Sequence, residues 1–477
     1  MQHPNILLLV IDTLRADYLG CYGCPDQLSE NIDQIAHSSI LFESAYSASN
    51  FTAPAFASLF TSLYPAQHGV YDFKIKALPP SPLLELLKSH GYYRKAVVDF
   101  GFFKSYLGES FDDMESLTDL TVNWSTEGPL VETQRAIEWL EQHHTEPFFL
   151  FLHLSPPHTP YRFPKGYYEN MMRSDLFAEN AAEFRSHETL GPLFPEPVDD
   201  RIPTEQIDRY NQCSRELGRI AVDGNHASFV KYLYSVEVKV VDDLVGAVVN
   251  TLRTLGVLDN TIVSLSSDHG EELWDHGSFS HGASAMYNEV IRTPWILSVP
   301  GQDETAGVVD ENVSHVNILP TIIDLAGIEM PDEYLGRSVR GHVEASKGLS
   351  GADEKPLPPV YCETARLISV VDGDYKLITP NQRTSFRSRK ERIRYRLGRI
   401  KQRFTGSERR ALELYDLRAD PGEKRNLAKE RRAVAECLLS LIRDYHAGRG
   451  PAIEAARDLT KEEEDRIKKE LEGLGYH

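Results

Sequence analysis

Asn5-Ile6-Leu7-Leu8-Leu9-Val10-Ile11 is an unbroken apolar run that stops at Asp12 and continues as Thr13-Leu14-Arg15-Ala16-Asp17-Tyr18-Leu19-Gly20-Cys21-Tyr22-Gly23. A strand covered by helices on both faces reads this way, because it has no polar side to show. A second run, Thr261-Ile262-Val263-Ser264-Leu265-Ser266, ends on Ser267-Asp268-His269-Gly270-Glu271, and a third, Pro147–Leu154, leads to Ser155-Pro156-Pro157-His158. Polar residues gathered at the carboxyl ends of buried strands mark the edge where open α/β sheets carry their sites.

Working outward, strand and helix patterns alternate. Asn31–Ala36 reads as a short helix and Leu41–Tyr46 as an extended return; the run after Pro54 is helical with Thr52 at its N-cap. Helical patterns at Leu83–His90 and Thr133–His143 bracket a strand at Lys95–Val98, and Tyr232–Leu252 is an amphipathic helix feeding the strand before Asp268. The expected fold class is α/β, a mostly parallel sheet between helices in residues 1–357, with a smaller C-terminal α+β subdomain in 358–477. Residues 165–230 have weak periodicity and are expected to be an insertion that roofs the site.

A chain of 477 residues with 41% hydrophobic content can bury one large core and a smaller one. The N-terminal apolar run is too short for a signal segment or a bilayer span, and the odd set of five cysteines gives no disulfide framework, so a cytoplasmic protein with free thiols is expected. The net charge of −20 excludes a general nucleic-acid binder. It is unevenly spread: residues 383–410 hold twelve Lys/Arg against Glu391 and Glu408, which leaves about −30 on the rest. Ile393, Leu397, Ile400 and Phe404 would give that basic arm one apolar helical stripe, suited to docking on the acidic body or to contact with an anionic lipid or glycan.

The chemistry lies in a constellation. Asp12, Asp268 and His269 offer two carboxylates and an imidazole, and Thr52 offers a fourth oxygen, a set that fits a divalent metal ion. Zinc or manganese suits the imidazole better than calcium or magnesium does. A hydroxyl in such a site loses its proton readily, which makes Thr52 a candidate nucleophile, and the helix start behind it favours an anion. His153, His158 and His281 follow or face strand ends, where they can bind substrate oxygens or protonate a leaving group. His68 and His276 read as structural. These residues imply a metal-dependent hydrolase of a small anionic ester.

The blocks resemble the sulfatase family of the alkaline phosphatase superfamily: Asn31-Ile32-Asp33, Leu63-Tyr64-Pro65 with His68-Gly69, Pro157-His158-Thr159-Pro160-Tyr161, Ser267-Asp268-His269-Gly270-Glu271, Leu319-Pro320-Thr321, Leu414-Tyr415-Asp416-Leu417 and Asp420-Pro421-Gly422-Glu423. The resemblance implies an alkaline-phosphatase-like core, with Asp12, Asp268 and His269 as metal ligands, Thr52 as nucleophile, and His158 and His281 as contacts to the substrate anion. The departures bear on the reaction. Formylglycine sulfatases carry Cys or Ser before x-Pro-x-Arg, whereas this chain reads Thr52-Ala53-Pro54-Ala55-Phe56; the family's lysine has no counterpart near Asp99, and its second calcium aspartate is Thr13. Threonine cannot mature to formylglycine. A threonine nucleophile is similar to that of phosphodiesterases and phosphoethanolamine transferases in the superfamily. The sequence therefore favours cleavage of a phosphodiester, phosphonate or related ester through a covalent Thr52 intermediate, with sulfate-ester hydrolysis, phosphoethanolamine-type transfer and non-catalytic anion binding as alternatives.

Overall fold

The computed structural model describes residues 3–71, 80–99, 101–116, 128–173, 175–188, 190–196, 224–281, 286–301, 307–330, 336–347, 356–381 and 412–448, with a few single positions beside them. The basic arm 383–410 lies outside the described residues.

An eight-stranded sheet forms the centre, in the order Gly307–Val309, Ile40–Phe42, Trp295–Ser298, Thr261–Ser267, Asn5–Ile11, Phe148–Leu154, Tyr93–Val98, Asp113–Ser116. Only Trp295–Ser298 runs antiparallel to its neighbours; the other described pairings are parallel. The mostly parallel sheet expected from the apolar runs is present. The period of two divides its central strand between two cores. Ile6, Leu8 and Val10 pack with Phe56, Phe60 and Leu83 on one face, and Leu7, Leu9 and Ile11 pack with Leu140, Tyr234 and Val241 on the other. Full burial of each such side chain is worth roughly 1.5–3 kcal/mol, so a polar residue inside the run would be costly and polar residues collect at its end.

Helices Thr52–Thr61, Pro82–Ser89 and Ile318–Leu325 cover the first face; Gly128–His143 and the long helix Gly224–Thr254 cover the second. Thr52 is the first helical residue and Phe51 occupies the N-cap, one position earlier than the sequence pattern suggested, as happens often at helix ends. Among the described residues of the insertion, Lys165–Met172 and Asp175–Ser186 are helices that its weak periodicity did not show. Phe184, Phe194 and Phe229 group there, so the aromatic residues that blurred the helical period are its packing core.

The C-terminal region is a four-stranded antiparallel sheet, Val360–Glu363, Leu367–Asp372, Tyr375–Pro380 and Glu413–Asp416, backed by the helix Arg432–Ala447. A fully buried ion pair, Lys376 Nζ to Glu423 Oε1 at 2.6 Å, holds this sheet to the segment before Trp295, because Lys376 also reaches Asn288 Oδ1 and Glu423 accepts the Asn288 N–H.

Candidate active site

Strand register sets the site. Ile11 lies opposite both Ser267 and Leu154, so Asp12 and Asp268 leave adjacent strand ends together. Hydrogen bonds fix the crossing: Thr13 N–H donates to Asp268 Oδ1 (3.1 Å), Leu14 N–H donates to Ser267 Oγ (2.9 Å), and Tyr234 O–H donates to the Thr13 carbonyl (2.7 Å). Thr13 takes a φ of 56°, a left-handed backbone that a β-branched residue rarely adopts. Strain of this kind persists only where the surroundings enforce it, and it gathers at functional sites.

Asp12, Asp268 and His269 are buried, and one ligand atom from each lies within 4.8 Å of the others. Among the described residues no donor reaches either carboxylate oxygen of Asp12 or Asp268 Oδ2. Burial first, then the charges of Asp268 and Glu271, push the Asp12 carboxyl well above its ordinary range. Two neighbouring carboxylates with three orphaned oxygens between them are a poor arrangement by themselves, and a divalent cation would relieve it. His269 Nδ1 sits 2.9 Å from the Gly270 carbonyl and must donate to it, which leaves the Nε2 lone pair facing Asp268 Oδ2 (3.3 Å) and Thr52 Oγ1 (3.3 Å). The donor set fits a metal ion held by Asp12, Asp268, His269 and Thr52.

Thr52 is buried at the start of its helix, and Pro54 in the first turn carries no backbone N–H. His158 and His281 stand opposite each other with ring centroids 5.2 Å apart, and His281 lies 4.4 Å from the ring of His269. Their roles differ. His158 Nδ1 donates to the Thr159 carbonyl (2.5 Å), so neutral His158 presents a lone pair at Nε2. His281 Nδ1 shares a proton with Glu271, 3.2 Å away, whose carboxyl is pushed by burial up to about 8. With that proton on the carboxyl, His281 Nε2 is a donor. Burial lowers His281 to about 4 and His158 well below its ordinary value.

His153 differs from its expected place among the substrate contacts. Its Nε2 is 3.7 Å from Asp12 Oδ2, and its ring packs on Phe56 (5.2 Å) and Phe103 (5.1 Å), so the structure sets it beneath Asp12. His68 accepts the Val70 N–H at Nδ1 and meets Ser58 Oγ at 3.0 Å, and His276 is held by Glu289 and the Glu423 carbonyl. Sequence reading missed Glu271 as the partner of His281, although it had quoted the block. It also missed Glu237, fully buried on the long helix; a charge falling on the apolar stripe of Leu233, Tyr234, Val238 and Val241 was the available signal.

The family model described as Sulfatase matches residues 4–328, and the chain belongs to the sulfatase family. A second model, N-sulphoglucosamine sulphohydrolase C-terminal, matches residues 275–383. Among its relatives, the Δ4,5-hexuronate-2-O-sulfatase of Bacteroides thetaiotaomicron is 26% identical over 454 residues, covering 90% of this chain and 85% of its own. The iduronate 2-sulfatase of Homo sapiens is 26% identical over 390 residues, covering 69% and 70%. A solved structure in complex with its substrate D-glucosamine-2-N,6-O-disulfate superposes with a TM-score of 0.69 at 20% identity, over 95% of this chain and 100% of that one. The phosphonate monoester hydrolase of Agrobacterium radiobacter does so with a TM-score of 0.65 at 18% identity, over 93% and 96%. These likenesses establish an alkaline-phosphatase-like fold and a sulfatase-family hydrolase, and they weigh against the phosphodiester preference drawn from the threonine.

Proposed function

We propose that this chain hydrolyses a sulfate ester of a sugar alcohol with Thr52 as its nucleophile. The carrying observation is the placement of Thr52 Oγ1 at a helix start, 3.3 Å from His269 Nε2 and beside the orphaned carboxylates of Asp12 and Asp268. Relatives that span most of their own length are sulfatases of uronate sugars by name, which supports sulfur over phosphorus and a sugar over a simple aryl alcohol. The absence of cations at positions 56 and 99 fits a singly charged ester of either element, so it does not oppose this reading.

A divalent ion bound by Asp12, Asp268, His269 and Thr52 would supply Lewis acidity and a lowered hydroxyl pKa. The chain's own groups do the rest. Thr52 Oγ1 bonds to sulfur as the bond from sulfur to the sugar oxygen breaks, and the His281 Nε2–H donates to the departing oxygen. Water then bonds to the same sulfur, the bond to Thr52 Oγ1 breaks, and sulfate leaves with the threonine restored. His158 Nε2, a lone pair in the neutral ring, accepts the Thr52 proton at the first attack and returns it to Thr52 Oγ1 as that bond breaks; His281 Nε2, left without its proton when the sugar departs, takes one from the attacking water. The helix start holds the nonbridging oxygens.

The test is to follow inorganic sulfate released from a 2-O-sulfated uronate disaccharide beside hydrolysis of a matched aryl phosphonate and a bis-aryl phosphate. Sulfate-ester turnover at least tenfold faster than either phosphorus ester is expected. The reverse ratio would sink the sulfatase reading and reinstate the phosphorus one.

A further inference from the structure

We propose that Arg162 is the cation that binds the substrate's ester anion, and that Asp99 positions it; the inference deepens the hydrolase reading and rests on it for the identity of the anion. The two positions where the family resemblance implies cations are closed in this chain. Phe56 is fully buried and meets Phe103 at 4.8 Å, Phe151 at 5.7 Å and His153 at 5.2 Å, all edge to face, so that wall of the site is hydrocarbon and aromatic edge. Asp99 follows the strand Tyr93–Val98, whose Val97 lies opposite Leu152, as Leu9 does, so it leaves the same edge of the sheet as Asp12. An added carboxylate here would repel an anionic substrate unless a cation accompanied it.

Arg162 is that cation. It follows the Phe148–Leu154 strand in the same loop as His158, and its Nη2 lies 3.7 Å from Asp99 Oδ2. It lies four residues past His158, the ring that faces His281 at 5.2 Å. The residue is pinned from behind, because its backbone N–H donates to Glu237 Oε1 at 2.7 Å on the long helix. The pair's side chains keep 15% and 16% of their exposure, while Asp12, Thr52 and His269 keep 2% or less, so the pair lies at the margin where substrate arrives. Arg15, the other guanidinium close to these blocks, is held by Asp17 and Asp275 and backs the Glu271 carbonyl. An arginine presents a planar fork of donors to a tetrahedral oxyanion, which a lysine in this place would not.

The experiment measures binding of inorganic sulfate to the metal-loaded protein by calorimetry, with aryl sulfate kinetics beside it. Arg162→Gln is expected to weaken sulfate binding at least tenfold and to lower kcat/KM about 100-fold. Arg162→Lys, which keeps the charge and loses the planar fork, is expected to weaken sulfate binding by about threefold to tenfold, less than Arg162→Gln does. Asp99→Asn is expected to raise KM with kcat nearly unchanged, a split that a purely structural ion pair would not give. Sulfate binding is independent of turnover, so a protein inactive on every ester whose Arg162→Gln form still loses sulfate keeps this inference and discards the hydrolase reading. Parent-like sulfate affinity in a folded Arg162→Gln protein would overturn it.

Discussion

The two halves of the site are built from different material. On one side, the strand ends after Ile11 and Ser267 gather Asp12, Asp268 and His269, all buried and turned toward one point. On the other, the inner face of the Thr52–Thr61 helix offers Phe56, and the end of the Tyr93–Val98 strand offers Asp99. The first half carries the charged residues that the family resemblance implies as ligands, and the second presents an aromatic wall and an acid where the resemblance implies cations. The difference teaches that metal-binding capacity follows from the sheet, where two adjacent parallel strands bring their ends together whatever else changes. Anion binding depends on side chains from helices and loops, which can be redistributed.

The largest expected effect attacks the first half. Asp268→Ala removes a ligand and leaves Asp12 and His269 unable to close a site, so bound metal should fall below detection and kcat/KM should drop by at least ~10³-fold. Elemental analysis of the purified variant checks this, and metal retained at parent stoichiometry would place the ion elsewhere. Phe56→Arg probes the second half by returning the family's side chain. Its guanidinium would be buried among the rings of Phe103, Phe151 and His153, at a cost of about 3–5 kcal/mol in a denaturant titration. Stability equal to the parent would show that the wall is permissive and that the loss of arginine has another cause.

A smaller effect sharpens the contrast through pH. Burial pushes the Glu237 carboxyl from 4.5 up to about 8, so between those values the unfolded chain binds fewer protons than the folded one and stability falls as pH rises. Glu237→Gln keeps the oxygen that accepts the Arg162 N–H and removes the titration. It should stabilise the protein by about 1–3 kcal/mol at pH 8 and by little near pH 4.5. Equal effects at the two pH values would show that Glu237 is not buried as a neutral acid.

Much of this was readable before the fold was known. The central strands were legible because residues with no polar side for seven positions can only be covered on both faces, and the ligands were legible because they cap those strands. The helices of the insertion were not, since Tyr167, Phe177, Phe184 and Phe194 pack on one another and on the long helix in a pattern set by tertiary contacts. In the site, His153 reads from sequence as a substrate contact at a strand end; its position opposite Val10 sets its ring against Phe56 and its Nε2 3.7 Å from Asp12 Oδ2. Arg162 and Asp99 were invisible as a pair because 63 residues (162 − 99) separate them and only the adjacency of two strands brings them together.

The claim at the centre of this account is that Thr52 bonds to the transferred group. Rapid quench of the metal-loaded protein with an excess of aryl sulfate, followed by mass analysis of the Thr52 peptide, tests it most directly. A sulfo adduct on Thr52 that forms before the first turnover ends, and that is lost together with activity in Thr52→Ala, is the predicted result. Undiminished sulfate release by Thr52→Ala, with no adduct on the parent peptide, would contradict it.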